Sequence, residues 1–278
     1  MSTTGFAARY RAAVDARGRL CAGIDPHAAL LDQWGLPVSV DGLRAFAEAA
    51  VAGLGPTAAV IKPQVAFFEA FGSAGLAVLE DTIAGCRAAG ALVLADAKRG
   101  DIGSTMAAYT TAWLDEGSPL CSDAVTVSPY LGFGALSPAV EQARATDRGV
   151  FVLARTSNPD GQALQTARTA AATTVAQSIV DDGAAVNADG SATVGVVVGA
   201  TREHGLDLRE LAGPILSPGL GAQGATAADL ASIFGDTADL AWLLPAASRS
   251  ILGAGPDPAA LAAAVSATRD EIEAALSA

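Results

Sequence analysis

Short apolar segments recur along the chain, and longer segments with helical spacing separate them. Most of the short segments contain four to six apolar residues without strict alternation, which is typical of parallel strands buried on both faces. Eight of them are predicted as strands, over residues 19–25, 58–62, 91–96, 123–128, 149–155, 194–199, 214–219 and 238–245.

The segments between the predicted strands carry helix signals. Residues 67–89 and 165–182 have helical character, and Asp257-Pro258 combines an N-cap residue with a proline at the first helical position. That pair predicts a C-terminal helix that ends at about Ala275. Residues 181–193, which read DDGAAVNADGSAT, are predicted as a polar insertion.

A strand followed by a helix, eight times over and without a linker, predicts an α/β fold of the (β/α)8 barrel type, with residues 1–278 as a single domain. An extra helix over residues 3–18 is expected to close the bottom of the barrel. An open doubly wound sheet is the alternative. It would carry Gly-x-Gly-x-x-Gly after its first strand, but GIDPHAAL stands there instead.

Composition narrows the class of partner. The chain is 51% hydrophobic and 17% charged, so it should be globular, and its net charge of −12 argues against nucleic acid or an anionic membrane as a partner. The three cysteines are far apart and form no CxxC motif. No signal-peptide pattern is present, and no apolar stretch approaches the ~20 residues that a membrane span needs. We therefore expect a cytoplasmic protein with reduced thiols.

Polar residues cluster at the ends of the predicted strands, where barrel enzymes carry out their chemistry. A single charged residue at such a position is more often a solvated loop residue, so only several of them at the same mouth indicate a site. They are Asp25, Lys62, Asp96, Lys98 and Asp101 around the first three strands, Thr156 and Ser157 after the fifth, Pro218 and the loop 219–224 after the seventh, and Arg249 after the eighth. His27 and His204 are too scattered for a metal site and are interpreted as surface or loop residues.

The stretch DAKRGDIGST, residues 96–105, carries the densest group of charges. Residues two apart on a strand share a face, so Asp96 and Lys98 should lie together, and Gly100 permits a turn that can bring Asp101 back toward Lys98. A lysine between two carboxylates is held in its ammonium form, which disfavours a Schiff-base nucleophile and favours proton delivery to a carbanion. With Lys62 as a second cation, the pattern favours decarboxylation without a metal or cofactor.

The far side of the mouth carries groups suited to a phosphate. These are the backbone N–H groups of the glycine-rich loop that includes Gly224, the Gln223 amide and the Arg249 guanidinium. Barrels commonly bind phosphate in the loops after strands seven and eight. A remote phosphate provides binding energy that can orient the reacting ring.

Six sequence elements together resemble the orotidine 5′-monophosphate decarboxylase family, and its longer bacterial branch (type 2) most of all. They are GID, VIKPQ, DAKRGDIGST, TSNP, SPGLGAQG and ASR, in that order along essentially the whole chain. The resemblance implies a homodimer with shared active sites, which converts orotidine 5′-monophosphate (OMP) to UMP and carbon dioxide in the last step of pyrimidine synthesis.

The same resemblance implies roles for individual residues. Lys98 corresponds to the proton donor to C6, Asp96 to the carboxylate against the departing carboxylate, and Asp101 to the aspartate that reaches in from the partner subunit. Lys62 completes this catalytic set. The implied substrate contacts are Asp25 with Lys62 at the ribose, Thr105 across the interface, Ile102 at the leaving-group pocket, Ser157 at the pyrimidine, Pro218 against the ring, and Gln223, Gly224 and Arg249 at the phosphate. Ser248 departs from the glycine that many relatives have before the arginine, and residues 158–169 match too loosely to assign a contact.

Two other functions remain open at this stage. One is a magnesium-dependent sugar-phosphate decarboxylase or aldolase on the same barrel, although Lys62 would repel a divalent cation. The other is a catalytically silent barrel that binds a phosphorylated ligand. Binding alone gives little reason to keep two carboxylates near a bound anion.

Overall fold

The computed structural model describes residues 5–200, 203–221 and 224–277. Eight parallel strands form a closed barrel in chain order, and the eighth pairs with the first. The predicted (β/α)8 fold is therefore confirmed. The strands are β1 (Cys21–Ile24), β2 (Val60–Pro63), β3 (Leu92–Arg99), β4 (Ala124–Val127), β5 (Gly149–Arg155), β6 (Val194–Val198), β7 (Ile215–Pro218) and β8 (Leu243–Ala247).

Helices surround the barrel and connect its strands. They are α1 (Phe6–Arg17), α2 (Ala28–Gln33), α3 (Val40–Leu54), α4 (Val65–Glu69), α5 (Gly72–Ala88), α6 (Gly103–Leu114), α7 (Ser137–Ala145), α8 (Gln162–Gln165), α9 (Val175–Asn187), α10 (Ala227–Phe234), α11 (Arg249–Leu252) and α12 (Pro258–Leu276). Side chains of Ser39, Thr174, Thr226 and Asp257 cap α3, α9, α10 and α12 by accepting backbone N–H bonds. None of the helices in the described parts of the chain combines the length and the apolar character of a membrane span.

The first helix closes the end of the barrel at which the strands begin. Phe6 and Tyr10 of α1 are buried in one cluster with Val60, Leu94 and Phe151 from the barrel interior. The Tyr10 ring also stacks on that of Trp242, with 5.6 Å between ring centroids. This arrangement confirms the expected extra helix.

An ion pair anchors this helix to the sheet. The Arg9 guanidinium pairs with the Asp123 carboxylate just before β4. The second oxygen of Asp123 accepts the Val93 N–H at 2.9 Å. The anchor therefore joins α1, through Asp123, to the backbone of β3.

The connection between β5 and β6 differs from the prediction for residues 165–182 and 181–193. Helix α9 begins only at Val175, where Thr174 caps it, and it continues to Asn187. Residues 181–193 are therefore not a polar insertion, since their first half is helical. Asn187 is buried because its amide bonds the carbonyls of Val194 and Leu211 and accepts the Val194 N–H, which secures the helix to β6.

Two further boundaries differ from the predicted ones. The helix predicted over 67–89 is divided, because α4 ends at Glu69 and α5 begins at Gly72, which has the left-handed φ of 64°. The last strand begins at Leu243, later than predicted. Asp239 accepts the Ala241 N–H and so starts a short 3₁₀ turn in place of a strand.

Candidate active site

A single buried carboxylate lies between two ammonium groups where β2 and β3 end. The Lys98 Nζ is 2.6 Å from one oxygen of Asp96, and the Lys62 Nζ is 3.0 Å from the other. Asp96 and Lys62 are buried, whereas 45% of the Lys98 side chain remains exposed. Lys62 and Lys98 are the only lysines in the sequence, so both meet at one aspartate. The predicted meeting of Asp96, Lys62 and Lys98 is observed.

Mutual attraction keeps these groups charged despite their burial. Burial would raise the pKa of Asp96, but the two lysine ammonium groups outweigh it and hold that pKa well below the usual range. Burial would lower the pKa of Lys62, but the carboxylates of Asp96 and Asp25 raise it above the ordinary value. Asp96 and Lys62 therefore carry opposite charges at neutral pH.

The backbone of β3 is irregular where these residues emerge. Ala95 pairs with Val125 and Arg99 with Val127, so Asp96, Ala97 and Lys98 together stand opposite one residue of β4. Lys98 takes the left-handed φ of 47°, which is uncommon for a residue with a side chain. A bulge, and not the regular alternation assumed from the sequence, brings Asp96 and Lys98 together.

Gly100 is needed for close approach of the two strands. A Cβ atom at this position would lie 2.5 Å from the Ser128 carbonyl oxygen, which is too near for any side chain. The Ser128 N–H donates to the Arg99 carbonyl at 2.7 Å and joins the chain segments that follow β3 and β4. The glycine thus sets the path of the backbone toward Asp101.

Asp101 does not reach Lys98 within its own chain. Its carboxylate accepts the Ile102 N–H at 2.8 Å and forms no ion pair with any described residue. The turn at Gly100 therefore does not bring Asp101 back to Lys98 in a single subunit. Ile102 and Thr105, which the family resemblance assigns to substrate contacts, are exposed at the start of α6, and Ile102 is 61% exposed.

The ends of β1, β7 and β8, together with Lys62 of β2, form a cleft beside the array of charged side chains. Asp25, Lys62, Pro218, Ser248 and Arg249 all line it, so β1, β2, β7 and β8 each contribute. One carboxylate oxygen of Asp25 and the Ser248 hydroxyl oxygen are buried there without a hydrogen-bond partner in the described part of the chain. Buried polar atoms without partners are uncommon, which favours a polar ligand at this place.

The phosphate region is described only in part. Gln223 lies outside the described residues. Gly224 adopts a φ of 92° and donates its N–H to the Gly221 carbonyl at 2.9 Å, so that N–H is engaged in the turn and not directed to a ligand. Arg249 is exposed at the first position of α11, and its position beside the cleft agrees with the prediction.

Ser157 lies just beyond β5, half-buried against the end of β6. A Cβ atom added to Gly199 would lie 2.9 Å from the Ser157 Cβ, so the glycine leaves room for this side chain. The Gln165 amide braces the loop, because it accepts the Thr156 N–H at 3.0 Å and donates to the Thr156 hydroxyl at 2.7 Å. No sequence pattern distinguishes Gln165 from other polar loop residues.

Asp96 has two further contacts that the sequence analysis does not predict. The Gln64 amide donates to one Asp96 oxygen at 2.9 Å, and the Thr126 hydroxyl donates to the other at 2.9 Å. The position of Gln64, two residues after Lys62 in VIKPQ, was an available signal. Thr126 lies in the apolar segment DAVTVS, where a threonine is an ordinary strand residue, so no signal distinguished it.

Comparison with known proteins gives a consistent family. Residues 18–265 match the model described as "Orotidine 5'-phosphate decarboxylase / HUMPS family". An orotidine 5′-phosphate decarboxylase from Salinispora arenicola is 57% identical over 98% of both chains, and one from Corynebacterium glutamicum is 55% identical over 95% of this chain and 96% of its own. A solved structure from Streptomyces avermitilis is 52% identical, with a TM-score of 0.96 over 100% of this chain and 98% of that one. The chain belongs to the orotidine 5′-phosphate decarboxylase / HUMPS family.

Proposed function

We propose that this chain is an orotidine 5′-phosphate decarboxylase, which converts OMP to UMP and carbon dioxide in the last step of UMP biosynthesis. The observation that carries the proposal is the buried Asp96 carboxylate between the Lys62 and Lys98 ammonium groups at the mouth of the barrel. Relatives that bear the name of this activity are 57% and 55% identical over nearly the full chain. The proposed decarboxylation uses no metal or cofactor.

Lys98 is assigned the central chemical step. When the bond between C6 and the carboxylate carbon breaks, the electron pair remains on C6 and carbon dioxide leaves. The Lys98 ammonium first stabilises this charge and then donates a proton from Nζ, which forms the new C6–H bond. Its partial exposure lets solvent return a proton to the neutral amine after the step.

Asp96 is assigned to the substrate carboxylate. Its charge is fixed by the two lysines, so it repels a second carboxylate placed beside it, and that repulsion ends when carbon dioxide departs. Lys62 keeps Asp96 charged and, with Asp25, is assigned to the ribose hydroxyl groups. The partnerless oxygen of Asp25 supports an acceptor role there.

The remaining contacts anchor the substrate away from the reacting carbon. Arg249, with Gln223 and the loop that contains Gly224, is assigned to the phosphate, Ser157 to the pyrimidine and Pro218 to the ring face. Because these contacts act on parts of the substrate that do not react, their binding energy orients C6 toward Lys98.

The proposed active unit is a homodimer in which Asp101 and Thr105 serve the partner's site, and Ile102 forms a wall of the leaving-group pocket. What supports this is that Ile102 is 61% exposed, and the loop after β4 exposes Tyr130 by 77% and Leu131 by 53%. Large apolar side chains exposed beside a site are typical of surfaces that another protein covers.

A magnesium-dependent relative would need oxygen ligands where this chain has a cation. The Lys62 Nζ lies 3.0 Å from Asp96, and a divalent ion at that carboxylate would be repelled. Among the described residues, no group of three or more His, Cys, Asp or Glu side chains is arranged to hold a metal ion. The charge pattern therefore favours the OMP reaction over that alternative.

A single assay separates the three functions. We expect the purified protein to release UMP from OMP at the same rate with and without a strong chelator. Loss of activity in the chelator would show that the reaction needs a metal. The absence of both UMP release and OMP binding would favour the sugar-phosphate enzyme. Binding of OMP without any release of UMP would identify a silent ligand-binding barrel.

A further inference from the structure

The bulge in β3 leaves the Lys98 N–H without a regular strand partner. Only Thr126 stands opposite the three residues from Asp96 to Lys98, between the paired Val125 and Val127. The Thr126 hydroxyl accepts the Lys98 N–H at 2.9 Å and donates its own proton to an Asp96 oxygen at 2.9 Å. One side chain on β4 therefore contacts both ends of the bulge.

We propose that Thr126 is a positioning residue for the decarboxylation, which holds the Asp96 carboxylate and the Lys98 backbone in register with each other. The inference rests on the proposed function, because it assigns Thr126 a part in the step that Lys98 and Asp96 perform. Thr126 itself is buried, since only 1% of it is exposed, so it acts through Asp96 and Lys98.

The donor and acceptor roles of the hydroxyl are fixed by its two partners. A hydroxyl has one proton, and a carboxylate can only accept, so the proton is directed to Asp96. The Lys98 N–H can only donate and takes a lone pair of the same oxygen. Because Val125 and Val127 are also buried, no solvent-exposed surface lies next to Thr126 on its strand.

The arrangement also accounts for the unusual backbone of Lys98. A left-handed φ at a residue with a side chain persists only where surrounding contacts hold it. The bond from the Lys98 N–H to Thr126 is one such contact, and the bond from the Lys98 Nζ to Asp96 is another. Without the hydroxyl, both Asp96 and the Lys98 backbone lose a restraint at the same time.

The test compares variants of Thr126 in the full-length protein. Thr126→Val removes the hydroxyl at nearly constant volume, and Thr126→Ser keeps it. Thr82→Val is the matched control, because Thr82 is equally buried and its hydroxyl bonds only the Val78 carbonyl inside α5. Turnover of OMP, the Kd for UMP and the melting temperature are measured for each.

We expect Thr126→Val to lower kcat about 10- to 100-fold, the range for loss of a hydrogen bond to a charged group. The Kd for UMP should change less than about threefold, since UMP lacks the reacting carboxylate. Thr126→Ser should restore kcat to within about threefold of wild type, and Thr82→Val should leave it unchanged. If Thr126→Val does not fold, Thr126→Ala removes the same hydroxyl and gives the same comparison.

Three results would overturn the assignment. One is a kcat for Thr126→Val within twofold of wild type. Another is a loss of kcat matched by an equal loss of UMP affinity and thermal stability, which indicates a purely structural residue. The third is a Thr126→Ser variant as slow as Thr126→Val. An inactive wild type would instead refute the proposed function, so the two failures are distinguishable.

Discussion

The two ends of the barrel differ. At the end where the strands begin, the closed end, apolar side chains and α1 fill the interior. At the end where the strands finish, the open end, charged and polar side chains line a cleft. The difference extends to hydrogen bonding. In the described part of the chain, the buried side-chain atoms without a partner are Asp25 Oδ1, Arg155 Nε, Thr169 Oγ1, Ser217 Oγ and Ser248 Oγ. All of them lie in the C-terminal half of a strand or in the connection between that strand and the next long helix.

The closed end stabilises the barrel, and the open end carries the candidate site. At the closed end a single chain supplies the contacts, because apolar side chains pack there and Arg9 forms an ion pair with Asp123. Among the described residues, the open end has polar atoms that lack partners and an Asp101 that pairs with no cation. We infer that a substrate and a second subunit complete the open end.

The largest expected effect is at the open end. Lys98→Ala should reduce kcat more than 100-fold while the fold persists, because one electrostatic contact typically contributes ~2.7–4 kcal/mol and this lysine has two roles. Circular dichroism and the melting temperature would check the fold, and OMP turnover would check the activity. A variant that keeps more than about a hundredth of the wild-type rate, or ~2.7 kcal/mol, would remove Lys98 from its assigned role.

A core substitution at the closed end should have the opposite profile. Phe151 is buried among the strands at the end covered by α1, so Phe151→Ala should lower the free energy of unfolding by about 3–5 kcal/mol. Turnover per folded molecule should stay near wild type, as measured well below the melting temperature. A stable but inactive variant would show that the two ends are coupled and would break the comparison.

A smaller effect is expected at the phosphate side of the cleft. Arg249→Ala should weaken UMP binding about 10- to 100-fold and barely change uridine binding, since only UMP carries the phosphate. Arg269→Ala is the matched control, because Arg269 contacts Gly18 beyond the opposite end of the barrel. Equal losses for UMP and uridine in calorimetric titrations would show that Arg249 does not bind the phosphate.

The sequence predicted the barrel, the position of its mouth and the meeting of Asp96, Lys62 and Lys98. These features depend on local patterns, namely buried apolar runs followed directly by charges. The bulge at Asp96–Lys98 could not be predicted, since the pairing of β3 with β4 sets it and the two strands are distant in sequence. For the same reason Thr126 and Gln165 gave no signal, because each acquires its partners only through tertiary contacts.

The most direct test is to exchange subunits between two inactive variants. It asks whether a second subunit completes the open end. Lys98→Ala and Asp101→Ala should each be inactive as homodimers. After mixing, half of the dimers become heterodimers, in which one site carries both defects and the other has a normal Lys98 and a normal Asp101. About one site in four is then intact, so activity should rise from near zero toward roughly a quarter of wild type. A mixture that stays inactive, although mass spectrometry shows complete exchange, would contradict the shared site.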